Sequence, residues 1–434
     1  MYFFNYIFFV IITYVGIRFL MSDGRIVKNP LTPDRWIKFD GVEMFWVLTF
    51  STGLLALSAP AGLDLMALRL MVLEVLCLVG LFVVKNKPVW SIPLVVYTVY
   101  LLWNIIGCFY SPVPSYGIRV FLKYLYPLLI ALFASAAVRN AEVFIKAGLE
   151  ARFVAVLSLI YYFLPGFSSI MPGVFWYGTA GAIHFISIIV FSLALFYYTN
   201  EKRKNLIYVI IFILPCFIWV FRTSIMGTAL ALMTFFFFKY RLRAFPVIVG
   251  ILMLAVALVF AVPSIREKMF RNSDGKNVDM LYSGQISVDD IDSNGRFAMW
   301  EWAMDKFYKG NELQGSGTGN LQETFYALRH PFAQIRICHN DYVQILCDNG
   351  LIGIVLFGSS FVLIIMHCFM IFQNRRYPIY IKLCAITAGS SLAGMILTMF
   401  TDNVVNYTMA TLSMPLGFYG MTLGLIRGIN EKRK

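Results

Sequence analysis

Runs of roughly 20 mostly apolar residues, joined by short linkers, recur from the start of this chain to its end. A run of that length is what a helix needs to cross the hydrocarbon core of a bilayer, where the helix also satisfies its own backbone polar groups. The pattern predicts an all-α integral membrane protein, a polytopic bundle of about 12–13 transmembrane helices. Only 14% of the 434 residues are charged and 59% are hydrophobic, whereas soluble domains carry about a quarter charged residues.

The runs place thirteen spans at about 2–20, 43–58, 64–84, 90–110, 117–137, 147–165, 181–199, 205–221, 222–239, 244–262, 350–372, 379–400 and 408–427. The first lacks the basic start and small-residue cleavage site of a signal peptide and is read as retained. Three regions follow: a bundle of about ten spans over 1–263, a polar segment over 264–349, and about three spans with a tail over 350–434. No internal repeat is evident, so an inverted-repeat transporter gains no support. Seven cysteines, five of them in spans, make no disulfide framework and are read as thiols.

The formal net charge of +13 raises the question of a polyanionic partner, and the placement of the cations answers it. Of 36 Lys and Arg residues, 23 fall in seven clusters in every second loop: Arg18 to Lys38, Lys85 and Lys87, Arg139 to Arg152, Lys202 to Lys204, Lys239 to Arg243, Arg375 to Lys382, and Arg427 to Lys434. That alternation is the positive-inside pattern, so these loops are expected in the cytoplasm and the 264–349 segment on the outer, periplasmic-type face. No nucleic-acid partner is expected. The cation-poor loops include Thr401 to Tyr407.

Four cations break the pattern: Arg69, Arg119, Lys123 and Arg222. Each lies near the outer end of a span, where an ionised side chain usually serves a site or a partner. Arg222 stands in a tight hairpin between two apolar runs, followed by Thr223, Ser224, Gly227, Thr228 and Ala229, small residues that allow helices to approach closely. Arg119 and Lys123 are four apart on one helix face, a repulsive pair that an anion would relieve. Arg69 lies five residues from both Asp64 and Glu74, which suggests an internal ion pair; Asp64 is also a candidate acid or base at the membrane surface.

Within the polar segment, Asp292-Ser293-Asn294 offers capping side chains to a helix expected over 296–309, with Phe297, Trp300, Met304 and Phe307 on its apolar face and Arg296 in its first turn. A cation there opposes the helix dipole and hints at a bound anion. Gly315-Ser316-Gly317-Thr318-Gly319 lacks the lysine and strand of a phosphate loop and reads as a turn that allows close backbone approach. Asp289-Asp290-Ile291-Asp292 has no His or Cys cluster beside it, so no metal site is expected. His339, opening a helix through His339-Asn340-Asp341, is a candidate general base, since imidazole titrates near neutrality.

From Phe221 to Phe357 the chain resembles the superfamily of O-antigen ligases and O-antigen polymerases. The resemblance is carried by Phe221-Arg222-Thr223-Ser224, by Asn294-Gly295-Arg296-Phe297 with Trp300, by the Gly315–Gly319 turn, and by His339-Asn340 leading to Asp348-Asn349-Gly350-Leu351-Ile352-Gly353. It implies a GT-C-like, metal-independent, cofactor-free glycosyltransferase using an undecaprenyl-diphosphate-linked glycan donor at the periplasmic face of the bacterial inner membrane. Glycan or lipid A-core would be the acceptor, and membrane lipids and polysaccharide-assembly proteins the further partners. By motif, the family's outer-face arginines and loop histidine map to Arg222, Arg296 and His339 as catalytic residues. Arg119, Lys123, Asn340 and Asp64 join them as candidate substrate-binding residues. Many ligases have twelve spans, one fewer than the thirteen counted here. The rival from another class is a transporter or flippase of lipid-linked sugars.

Overall fold

In the computed structural model the described residues are 30–31, 41–53, 55, 65–164, 166–167, 175–270, 295–332 and 335–432. The expected span at 2–20, Asp64, the 289–292 acidic run and the capping residues Asp292 to Asn294 lie outside them.

Each of the other twelve expected spans corresponds to a helix. These are α1 (Gly41–Gly53), α2 (Leu65–Val83), α3 (Ile92–Tyr110), α4 (Pro114–Ala137), α5 (Glu142–Ser158), α6 (Gly178–Tyr198), α7 (Lys202–Ile218), α8 (Arg222–Tyr240) and α9 (Phe245–Ala261). Among the described residues the polar segment then holds three short helices, Pro263–Met269, α10 (Arg296–Ala303) and α11 (Asn320–Tyr326), before α12 (Asp341–Gln373), α13 (Ile379–Thr398) and α14 (Ser413–Lys432). Pro93, Pro114 and Pro246 stand in first turns, where the missing N–H has no intrahelical partner to lose. Among the described residues no strand forms beyond one isolated bridge between Leu55 and Phe175.

By length and composition, six helical segments suffice to cross a membrane: Ile92–Tyr110, Pro114–Ala137, Gly178–Tyr198, Arg222–Ala261, Asp341–Gln373 and Ile379–Thr398. The pair Val405–Thr411 and Ser413–Glu431, bent by 56°, would make a seventh. The chain is a multi-pass, all-α membrane protein. The structure corrects several span limits. α1 is 13 residues long and ends at Gly53 rather than 58. The span expected to start at 408 begins instead as a short helix, Thr408–Thr411, before the bend into α14.

The bundle is organised around α13, which packs against α6, α8, α12 and α14 and is buried along nearly its whole length. A helix apolar on all sides belongs in such a core, and small side chains let its neighbours close in. Gly227 of α8 faces Gly394 and Thr398 of α13 so tightly that an added Cβ would sit 2.4 Å from Thr398 Cγ2, the small-residue contact of membrane helix pairs. This contact fixes the start of α8 against the end of α13.

Candidate functional site

The loop that follows α13, residues 399–407, gathers the polar groups at one end of the bundle. His339 and Asn340 precede α12, and the backbone N–H of Asp341 bonds Met399 O at 2.9 Å. The Asp341 carboxylate, fully buried, accepts from Asn403 Nδ2 at 3.1 Å and from the Val405 N–H at 3.1 Å, and Asn403 Nδ2 also reaches Gln344 Oε1 at 3.3 Å. Asn340 is buried, and its side-chain oxygen accepts from the N–H groups of Tyr342 and Val343 at 2.9 and 3.0 Å, capping α12. Asn340, expected as a substrate contact, holds the helix start through its carboxamide oxygen.

This clamp presents His339. Its backbone has φ +53, a left-handed conformation uncommon outside glycine, and its N–H donates to Asn403 Oδ1 at 2.6 Å. Nδ1 lies 3.3 Å from Asp402 Oδ1, with the histidine side chain 29% exposed and the aspartate nearly covered. A proton on Nδ1 makes that approach favourable and leaves Nε2 with a lone pair. Histidine held by a carboxylate in this way is oriented as a base. Asp402 Oδ1 is itself fixed by the Asn403 N–H at 2.8 Å.

Arg296 opens α10 and donates through its guanidinium to the carbonyl of Thr401, next to Asp402. Burial holds this guanidinium below its ordinary range, with the Asp402 carboxylate pulling it back up and the Arg222 charge pushing it down further. Asp402 and Arg222 are thus both within electrostatic reach of Arg296. The Thr401 hydroxyl bonds the Thr223 hydroxyl at 3.0 Å, tying the same loop to the first turn of α8. Arg222 begins that turn after a hairpin in which Val220 has φ +50, and it donates to the carbonyl of Lys268, whose ammonium reaches Trp219 O at 3.0 Å. Trp300 anchors α10, donating to Cys338 O at 2.9 Å and packing on Phe400 with ring centroids 5.6 Å apart. The buried face of α10 and the π-turn after it is Met299, Ala303 and Phe307; Phe297, expected on that face, is exposed and packs on Trp300 instead.

The glycine-rich turn behaves as the close-approach element expected of it. It wraps the break in α12 at Gly350, whose φ of +67 and ψ of −167 no other residue adopts readily. Asp348, fully buried, accepts from the N–H groups of Gly319 and Leu321 at 2.9 Å each, and Asn349 bonds Asn104 and Thr318 at 3.0 and 2.8 Å. The turn is a structural clasp between α12, α3 and α4.

On the side facing α4, Lys123 donates to Asn406 Oδ1 at 2.8 Å, and the Gln322 amide of α11 reaches the same oxygen. The Arg119 guanidinium lies 5.4 Å from the centre of the Tyr116 ring. The Arg69–Glu74 ion pair expected from spacing is not made. Arg69 donates to Gly53 O at 2.8 Å and lies 5.7 Å from the Trp176 ring, while a Glu74 carboxylate oxygen has no hydrogen-bond partner. Among the described residues no group of three His, Cys, Asp or Glu is placed to hold a metal ion. A cavity of about 810 Å³ lies toward the other end of α12, around His367 and Arg427. From Leu351, past the break in α12, to His367 is about 24 Å at 1.5 Å per residue, so that cavity is remote from this cluster.

Arg222, Arg296 and His339 therefore meet around one loop, although 117 residues separate the first from the last. Residues 207–358 match the family model Wzy_C, O-antigen ligase. Over these residues the chain is similar to the O-antigen ligase family. The O-antigen ligase match runs from α7 into α12 and contains all three residues, whereas the loop carrying Asp402 lies beyond it. No curated protein matches the chain. Sequence reasoning missed Asp402, Asn403 and Asn406. The available signal was that Asp402 is the one acidic residue between Asp348 and Glu431, in a stretch otherwise nearly free of charge.

Proposed function

We propose that this chain is an inner-membrane glycosyltransferase that moves glycan from an undecaprenyl-diphosphate-linked donor to an acceptor hydroxyl at the periplasmic face. The observation that carries the reading is the convergence of Arg222, Arg296 and the His339–Asp402 pair on one loop at one end of the bundle. Breaking the bond between an anomeric carbon and a lipid diphosphate builds negative charge on the leaving oxygen. Two fixed guanidinium groups stabilise that charge more in the transition state than in the ground state, and their planar forks suit phosphate oxygens. His339 Nε2 takes the proton of the attacking hydroxyl, and direct attack inverts the anomeric centre. No step calls for a metal.

An apolar crevice of about 190 Å³ between α7, α8 and α9, lined by Cys216, Ile225, Ala229, Leu232, Ala255 and Leu258, begins one turn below Arg222. It suits the polyprenyl chain of a donor whose diphosphate sits at Arg222 and Arg296. Ligation to lipid A-core is favoured over polymerisation because the matched family is described as O-antigen ligase. The test supplies purified protein with lipid-linked repeat unit, with and without lipid A-core. Turnover that requires lipid A-core supports the ligase, chain lengthening on the lipid carrier alone identifies a polymerase, and lipid flux across proteoliposomes without transfer overturns the enzyme reading.

A further inference from the structure

We infer that Tyr116, Tyr326, Arg119 and Arg336 form a glycan-binding subsite beside the reacting centre, which grips a sugar ring of the lipid-linked chain. The inference rests on the glycosyltransferase reading and adds to it where the sugars lie.

The two tyrosine rings come from different elements, α4 and the end of α11, and their centroids are 6.1 Å apart at an angle of 41°. Each carries a guanidinium: Arg119 at 5.4 Å from the Tyr116 ring and Arg336 at 5.8 Å from the Tyr326 ring. Tyr326 is 52% exposed, so its ring is open to a ligand. A pyranose is matched to such a surface. One of its faces presents C–H groups that lie on an aromatic ring, and its rim presents hydroxyl or carboxylate oxygens that accept from arginine, which has donors only.

The platform is rigid and connected to the centre. Gly319, at the head of α11, lies against Gly117 of α4 so closely that an added Cβ would be 2.8 Å from Gly117 N, and the Gly319 N–H is held by Asp348. α11 is therefore pinned to α4, and the tyrosines are presented in a fixed relation, as a preorganised site requires. One turn from Tyr326, Gln322 bonds Asn406; one turn from Arg119, Lys123 bonds the same oxygen. Asn406 belongs to the loop of Asp402 and Asn403. A glycan whose first sugar reacts beside His339 would run past Asn406 and Gln322 onto the tyrosine pair.

Binding of two probes by the full chain in nanodiscs tests this: undecaprenyl diphosphate without sugar, and the lipid-linked oligosaccharide extracted from cells lacking this protein. Tyr326→Ala and Arg336→Gln are expected to weaken the oligosaccharide-bearing lipid by about tenfold, with Tyr326→Trp retaining most of the affinity and the sugar-free lipid bound as before. Equal losses for both lipids, or no loss for either, overturn the subsite. If the unaltered protein binds neither lipid, it is the donor assignment that fails. Tyr326 is at the surface, so its variants are expected to fold; Tyr116 packs on the core and is left unaltered.

Discussion

At the scale of single residues, chemistry and support were unequally legible. Arg222, Arg296 and His339 stand out in sequence because a cation or an imidazole in a mostly apolar chain needs a reason, and short motifs surround each of them. Asp402 had no such motif. Its partnership with His339 spans 63 residues and exists because α12 and α13 pack side by side, which spacing in the chain does not reveal. If His339 is the base, His339→Ala slows transfer by roughly 10²–10⁴-fold while the protein still inserts, as single-turnover rates on purified protein would show. Asp402→Asn is expected to cause a smaller fall, since it removes orientation and charge but leaves the imidazole. A rate unchanged in Asp402→Asn would separate the pair. Arg296→Ala removes charge-assisted hydrogen bonds worth about 1.5–3 kcal/mol each, so kcat/KM for the donor should fall about tenfold or more, mostly through kcat. Arg296→Lys is expected to recover little of this, because an ammonium lacks the planar fork.

Among elements, the helices were readable from hydrophobic runs and the joints between them were not. α12 illustrates the difference. Its apolar stretch predicts a span from 350 and His339-Asn340 a helix leading into it, and the structure has both; what the sequence does not show is the break at Gly350, which allows the glycine-rich turn to bond the Cys347 and Asp348 carbonyls. A Cβ at Gly350 would lie 2.3 Å from the Leu313 carbonyl oxygen, in a backbone conformation that is nearly glycine's alone. Gly350→Ala is therefore expected to destabilise the protein by about 1–3 kcal/mol and to lower the apparent melting temperature of the detergent-solubilised protein. Its effect on transfer should follow from loosened seating of the turn on α12. The contact of Gly227 with α13 predicts a second, more local result. Gly227→Leu must push α8 away from Thr398, at an overpacking penalty of about 1–3 kcal/mol, and so move Arg222 relative to the Thr401 loop. Donor use should drop more than in Gly250→Leu, where an added Cβ on α9 meets nothing within 4 Å.

For the whole molecule, the arrangement has a direction. The apolar crevice between α7, α8 and α9 lies on the Arg222 side of the Thr401 loop, the tyrosine platform on the Lys123 side, and Arg296 with His339 between them. The proposed substrate, with a long apolar tail, a doubly charged link and a polar chain, would lie along that order, which gives the donor reading a consequence that local substitutions do not test. Ala229 lines the crevice about two turns from Arg222. Ala229→Trp fills the space without adding charge or touching the arginines, so it should act on the tail alone. Transfer from undecaprenyl-diphosphate-linked donor is expected to fall about tenfold or more, as if roughly 1.4 kcal/mol of binding were lost. A donor of the same glycan on a single-isoprene tail, too short to reach Ala229 about 10 Å from Arg222 and already bound less well, should be nearly indifferent to the substitution. The ratio of the two rates is the measurement, because a general defect in folding or insertion lowers both together. A constant ratio would place the tail elsewhere on the bundle, and a ratio that shifts toward the short donor would assign the crevice to the polyprenyl chain.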